Sequence, residues 1–204
     1  MITIVDYGLG NTRAFTNVYE RLNIKTKLAQ SADDLKGATK IILPGVGSFD
    51  YAITLLNNSG MRDELDKHVM EKKTPVIGIC VGMQIMAKSS EEGKLNGLGW
   101  IDGEVKLFDA KKIKSKTHYP HMGWNTINPI KNNKILIGLT NESRFYFLHS
   151  YYFACETKEN ILTTTNYGIT YTSMLNSGNI YGIQCHPEKS HSNGVQLLKN
   201  FSLI

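Results

Sequence analysis

Four short apolar runs set the cadence of the first eighty residues: Ile2-Thr-Ile-Val5, Lys25 to Ala29, Lys40-Ile-Ile-Leu43 and Pro75-Val-Ile-Gly-Ile79. Helical spacing fills the gaps between them. Phe15, Val18, Tyr19 and Leu22 recur on one face of a helix over 12–22 that Asn11 can cap, and further helices fit 49–57 and 60–71. A strand with no polar alternation is stable only when both of its faces are covered. Such strands alternating with helices therefore predict an α/β fold, an open and mostly parallel sheet with helices on both faces. Pro44-Gly45 is expected to end the third strand.

The second half changes character. From Leu98 to Ile183 short runs are punctuated by Asp102-Gly103, Asn132-Asn133, Asn166-Tyr-Gly168 and Asn176-Ser-Gly178, which predicts antiparallel strands added to the parallel core. A last helix fits Gly194 to Phe201. Without an internal repeat or a linker rich in Pro, Gly and Ser, residues 1–204 read as one domain, long enough to bury a core without disulfides or metal.

Composition narrows the class. Hydrophobic residues at 41% and charged residues at 20% exclude a disordered or fibrous chain. The net charge of +5 is too mild to point to nucleic acid, and its local excess, five lysines between Lys106 and Lys116, reads as a solvated loop. Cys80, Cys155 and Cys185 form no CxxC pair, so reduced thiols and a cytoplasmic setting are expected. The N-terminus lacks the basic and apolar regions of a signal peptide, and no run approaches the ~18 apolar residues of a membrane span.

The sharpest chemical signal is Gly78-Ile-Cys80-Val-Gly82, entered from an apolar run and followed by helix-prone Met83-Gln-Ile-Met-Ala-Lys. A strand-to-helix turn flanked by glycines can lift a nucleophile above a sheet, and a helix N-terminus favours a thiolate. A buried core cysteine fits the same five residues. A thiol nucleophile needs a base with an orienting group. Of the six histidines, His186 alone carries its own: Pro187 breaks the strand and Glu188 can fold back on the imidazole. By itself His-Pro-Glu also fits a surface turn; with the elbow it points to a Cys–His–Glu triad. Pro44-Gly-Val-Gly-Ser48 could present N–H groups to an oxyanion, or simply form a turn. Gly8-Leu-Gly10 has Arg13 where a dinucleotide motif needs glycine, and no P-loop run exists. No metal and no organic cofactor are expected.

Gly78-Ile-Cys-Val-Gly-Met-Gln84 together with His186-Pro-Glu188 resembles the class I (triad) glutamine amidotransferases. Asp6-Tyr-Gly-Leu-Gly-Asn11, Pro44-Gly-Val-Gly-Ser-Phe49, Pro120-His-Met-Gly-Trp-Asn125, Phe145 to Tyr152 and His186 to Ser190 extend the resemblance over nearly the whole chain. It is narrowest to members that form a heterodimer with a separate (β/α)8-barrel synthase of histidine biosynthesis. The resemblance implies Cys80 as nucleophile, His186 as base and acid, and Glu188 as orienter. It places an oxyanion hole at Gly45, Val46, Gly47 and Val81, and glutamine contacts at Gly47, Gln84, Ser150 and Tyr151. It puts Asn11, Trp124, Tyr146 and Lys189 at the partner interface. Cys185 stands where the family usually has an aromatic, and Ser150 where threonine is frequent. A related pair feeding ammonia to another synthase, such as one amidating a surface sugar, matches these residues equally. A non-catalytic scaffold and a cysteine peptidase are the remaining alternatives.

Overall fold

The apolar runs become the middle of one sheet. The computed structural model describes residues 1–114 and 118–204. Its first half runs β1 (Ile2–Val5), α1 (Thr12–Arg21), β2 (Thr26–Ala29), α2 (Ala32–Leu35), β3 (Ile41–Gly45), α3 (Phe49–Asn58), α4 (Arg62–Asp66), β4 (Val76–Cys80) and α5 (Val81–Gln84). The second half adds β5 (Ser89–Ser90), β6 (Gly103–Leu107), β7 (His121–Thr126), β8 (Asn128–Pro129), β9 (Arg144–His149), β10 (Tyr151–Cys155), β11 (Ile161–Tyr167), β12 (Ile169–Ser177), β13 (Ile180–Ile183) and α6 (His191–Ser202).

The main sheet has the order β2-β1-β3-β4-β13-β12-β11-β8. Pairing is parallel from β2 through β13 and antiparallel from β13 outward. Every residue of β1, β3, β4 and β13 is buried, so both faces of this region are covered. α1 packs on α6, tied by the Tyr19 hydroxyl donating to Leu198 O at 3.1 Å, while α2 packs on α4. Phe15, Tyr19, Phe49 and Phe201 are fully enclosed, each worth about 1.5–3 kcal/mol of transfer free energy.

Several details depart from the sequence reading. β3 continues through Pro44 and Gly45, in register with Ile79 and Cys80. Pro44 is tolerated because β1 has ended by that point, so no carbonyl there awaits an N–H, while the Pro44 carbonyl accepts from the Tyr7 hydroxyl at 2.8 Å. The helix expected over 60–71 divides into α4 and a π-helical turn over Lys67–Glu71, in which His68 and Val69 are both buried. α2 was not foreseen, and α6 starts three residues before Gly194. The antiparallel additions also differ. Among the described residues β12, β11 and β8 extend the main sheet beyond β13, which itself pairs in parallel with β4, whereas β10-β6-β5 and β7-β9 form two small sheets of their own.

Candidate active site

β4 delivers Cys80 at its C-terminal end, between β3 and β13. Cys80 has φ +54° and ψ −114°, a conformation costing about 1–3 kcal/mol in a residue with a side chain. Close contact across the turn enforces it. A Cβ on Gly78 would stand 2.5 Å from Gly82 O, and one on Gly82 would stand 2.0 Å from Leu43 O. These two positions accept only glycine, and they clamp the turn that raises the sulfur. The following helix α5 is a single turn, shorter than the sequence implies, because the chain turns away toward β5. Val81 still opens it, so its N–H has no acceptor within the helix.

β13 carries the second component. The chain leaves the sheet after Ile183, and Pro187–Lys189 form a 3-10 turn that brings Glu188 back under the imidazole. His186 Nδ1 lies 2.9 Å from Glu188 Oε1, with both side chains about 95% buried. The carboxylate accepts a hydrogen bond from the Nδ1–H and leaves Nε2 for the thiol. Burial by itself would lower the His186 pKa. Hydrogen bonding to Cys80 and to Glu188, with their charges, outweighs it and pushes the value up to about 10. Between the Glu188 carboxylate and the thiol, the His186 ring favours its protonated form.

A cavity of about 300 Å³ opens over the sulfur, at the small end of the range for small-molecule sites. Its wall includes Val46, Gly47, Cys80, Val81, Gln84, Ser150, Tyr151, His186 and Lys189. Gly45 sits elsewhere: it backs onto the elbow, where a Cβ would meet Gly82 N at 2.4 Å. Glu188 stands behind His186.

The interface candidates divide. Trp124 and Tyr146 face each other across β7 and β9 at 6.1 Å, and Lys189 Nζ lies 5.7 Å over the Tyr146 ring. Tyr146 O also accepts from His186 N at 2.8 Å, which ties this cluster to the site. Asn11 has a local task, accepting from Ala14 N at 3.0 Å as the cap of α1.

Sequence reasoning missed Glu92, Pro120, Leu148 and His149, all of which line the cavity. Glu92 Oε2 accepts from Phe49 N at 2.8 Å, and burial, foremost, raises its pKa. His149 belongs to a buried cluster with His121 and Tyr171: the Tyr171 hydroxyl lies 3.1 Å from His121 Nδ1 and 3.2 Å from His149 Nε2. The Pro120-His-Met-Gly and Leu-His-Ser runs held both histidines, but only the β7–β9 register places them opposite one another. Cys185 is buried, and Cys155 Sγ contacts Thr157 O at 3.2 Å. In the lysine run, Lys106 pairs with Glu104 and Lys112 with Asp109, while Ser115 and Lys116 lie outside the described residues. Among the described residues no His/Cys/Asp/Glu group is arranged to hold a metal, and no helix is long and apolar enough to cross a membrane.

Residues 3–204 match the family described as glutamine amidotransferase class-I. Over its full length the chain is 52% identical to an imidazole glycerol phosphate synthase subunit HisH of Bdellovibrio bacteriovorus and 51% identical to one of Leptospira interrogans, each covered completely. In fold it is similar to a crystal structure of glutamine amidotransferase, with a TM-score of 0.75 at 18% identity over 98% of both chains. PurLQS from Thermotoga maritima gives a TM-score of 0.74 at 16% identity over 99% of this chain and 97% of that one.

Proposed function

The chain belongs to the class-I glutamine amidotransferase family, and from that premise we propose that it is the glutaminase subunit of imidazole glycerol phosphate synthase. It hydrolyses L-glutamine and passes ammonia to a synthase subunit for histidine biosynthesis. The observation that carries the reading is a buried imidazole fixed between Glu188 and a strained Cys80 at the floor of a small cavity.

In the proposed mechanism the Cys80 thiolate attacks the carboxamide carbon. N–H groups of Val81 and of the Val46-Gly47 segment receive the oxyanion. His186 gives its proton to the departing nitrogen, releasing ammonia and leaving a glutamyl thioester. The now neutral imidazole takes a proton from water, hydroxide adds to the thioester, and the thiolate leaves as glutamate forms. Glu188 keeps the imidazole in the required tautomer. The Gln84 side chain and the Ser150-Tyr151 backbone line the wall that would hold the substrate, and the Glu92 carboxylate suits its ammonium group.

Released ammonia must avoid bulk water, so a partner should seal the cavity mouth. The proposed partner is a (β/α)8-barrel synthase subunit in a heterodimer. Exposed Met122 and Trp124, on the outward face of β7, together with Tyr146 and Lys189, offer the apolar and cationic surface for it. The test is turnover of amide-labelled glutamine with and without that subunit and its nucleotide acceptor, together with complementation of a histidine auxotroph. Labelled nitrogen in the imidazole product and growth without histidine are expected. Glutaminase activity without complementation would redirect the ammonia to another synthase.

A further inference from the structure

A second side chain reaches the sulfur from below. Gln184, completely buried just past β13, has its Nε2 3.9 Å from Cys80 Sγ and its Oε1 3.1 Å from Gln84 Nε2. Gln84 Nε2 is also 3.0 Å from Tyr151 O, and that carbonyl is 2.7 Å from His149 Nδ1. These contacts fix every amide. A carbonyl oxygen only accepts, so His149 carries its proton on Nδ1 and Gln84 turns its NH2 group toward Tyr151. The second hydrogen of that NH2 then goes to Gln184, which must meet it with oxygen. What Gln184 presents to the sulfur is therefore an N–H. Farther out, the Tyr171 hydroxyl donates to the bare His149 Nε2 and accepts from His121 Nδ1, so the polarity is anchored well behind the cavity.

We propose that Gln184 is a donor to the Cys80 sulfur, oriented by Gln84 and the Tyr151 carbonyl, and that it favours the thiolate both before attack and when the thioester breaks. The inference rests on the reading of Cys80 as the nucleophile. The sulfur has two contacts at 3.9 Å with opposite preferences: Leu148 O suits a thiol proton, whereas the Gln184 N–H suits an anion. A resting contact of this length shortens as charge develops, since hydrogen bonds to ions are the shorter and stronger ones. His186 is the strongest ionic neighbour of the sulfur. Tyr7, Tyr171 and Cys185 also feel its charge, and Glu92, His149 and Lys189 line the cavity above it. None of these is replaced when Gln184 is changed.

The experiment is the pH dependence of Cys80 alkylation by iodoacetamide, followed on the Cys80 peptide by mass spectrometry, in the full chain and in Gln184→Met. Loss of one hydrogen bond of ordinary net strength should slow alkylation near neutral pH by roughly twofold to tenfold and move the profile to higher pH. A Gln184→Met profile that superimposes on the wild type overturns the proposal. Should that variant fail to fold, the wild-type protein decides: the Gln184 side-chain NH2 resonances should move with Cys80 titration and stand still in Cys80→Ala. Resonances indifferent to that titration overturn it equally. A glutamine-derived thioester found on Cys155 or Cys185 would sink the nucleophile reading itself, whereas one on Cys80 with an unchanged Gln184→Met profile sinks only this inference.

Discussion

Two of the buried imidazole environments in this molecule behave oppositely. His186, His121 and His149 are equally hidden, at 4%, 4% and 6% exposure. Yet His186 is pushed up to about 10, while His121 is pushed down to about 4 and His149 to about 3. Desolvation opposes the charged form in all three. The difference is what each ring touches. His186 faces a thiol and a carboxylate, both able to carry negative charge. His121 and His149 face a neutral phenol, each other and aromatic rings, among them Tyr167 at 4.1 Å and Phe108 at 5.4 Å. At these three rings burial sets the stakes and the partner sets the sign. One environment is built to hold charge for chemistry, the other to hold a neutral hydrogen-bond chain for position.

The comparison predicts separable losses. The largest is at the sulfur: Cys80→Ala should abolish glutamine hydrolysis while the partner's ammonia-dependent synthesis continues, measured side by side in the complex. Residual glutaminase in that variant would remove Cys80 from the charged environment.

Next comes the proton carrier. His186→Ala should lower glutaminase kcat by about 10²–10⁴-fold, the usual worth of general acid–base transfer. Glu188→Gln should cost less, because it leaves the imidazole in place. Equal and negligible effects would mean that the two side chains do not act as a unit.

The neutral environment should respond in stability. Tyr171→Phe strands the His121 and His149 nitrogens and should lower unfolding free energy by about 1–3 kcal/mol in urea. The pH profile of glutaminase should move less than in Gln184→Met, because the Tyr151 carbonyl still orients the Gln84 and Gln184 amides; an equal displacement would show that the Tyr171 hydroxyl is what orients them.

The last effect is on the pH dependence of stability. His121 and His149 refuse protons in the folded state that they accept near their ordinary pKa of 6.5 when unfolded. The unfolded chain thus binds more protons below that value, and stability should fall as pH drops from about 6.5 toward 4. Urea midpoints at several pH values read this slope, and His121→Phe should flatten it.

The sequence alone determined the parallel core. Runs such as Ile41-Ile42-Leu43 and Val76-Ile77 can be buried on both faces in few other ways, and helical spacing around Phe15 and Tyr19 fixes what covers them. It also singled out Cys80, His186 and Glu188, because a glycine-flanked strand end and a proline break between a histidine and a carboxylate are local features. Tertiary structure decided the rest. Two small sheets stand apart from the main one because strand pairing in the second half joins distant residues that no local pattern names. Gly45 backs the elbow, and Glu92 enters the cavity from a loop whose position depends on the N–H of Phe49. His121 meets His149, and Gln184 meets Cys80, only across strands 28 and 104 residues apart in the chain. Short-range chemistry writes turns, caps and strand ends into the sequence. Which buried polar group faces which is settled by long-range packing, where every hidden donor must find an acceptor.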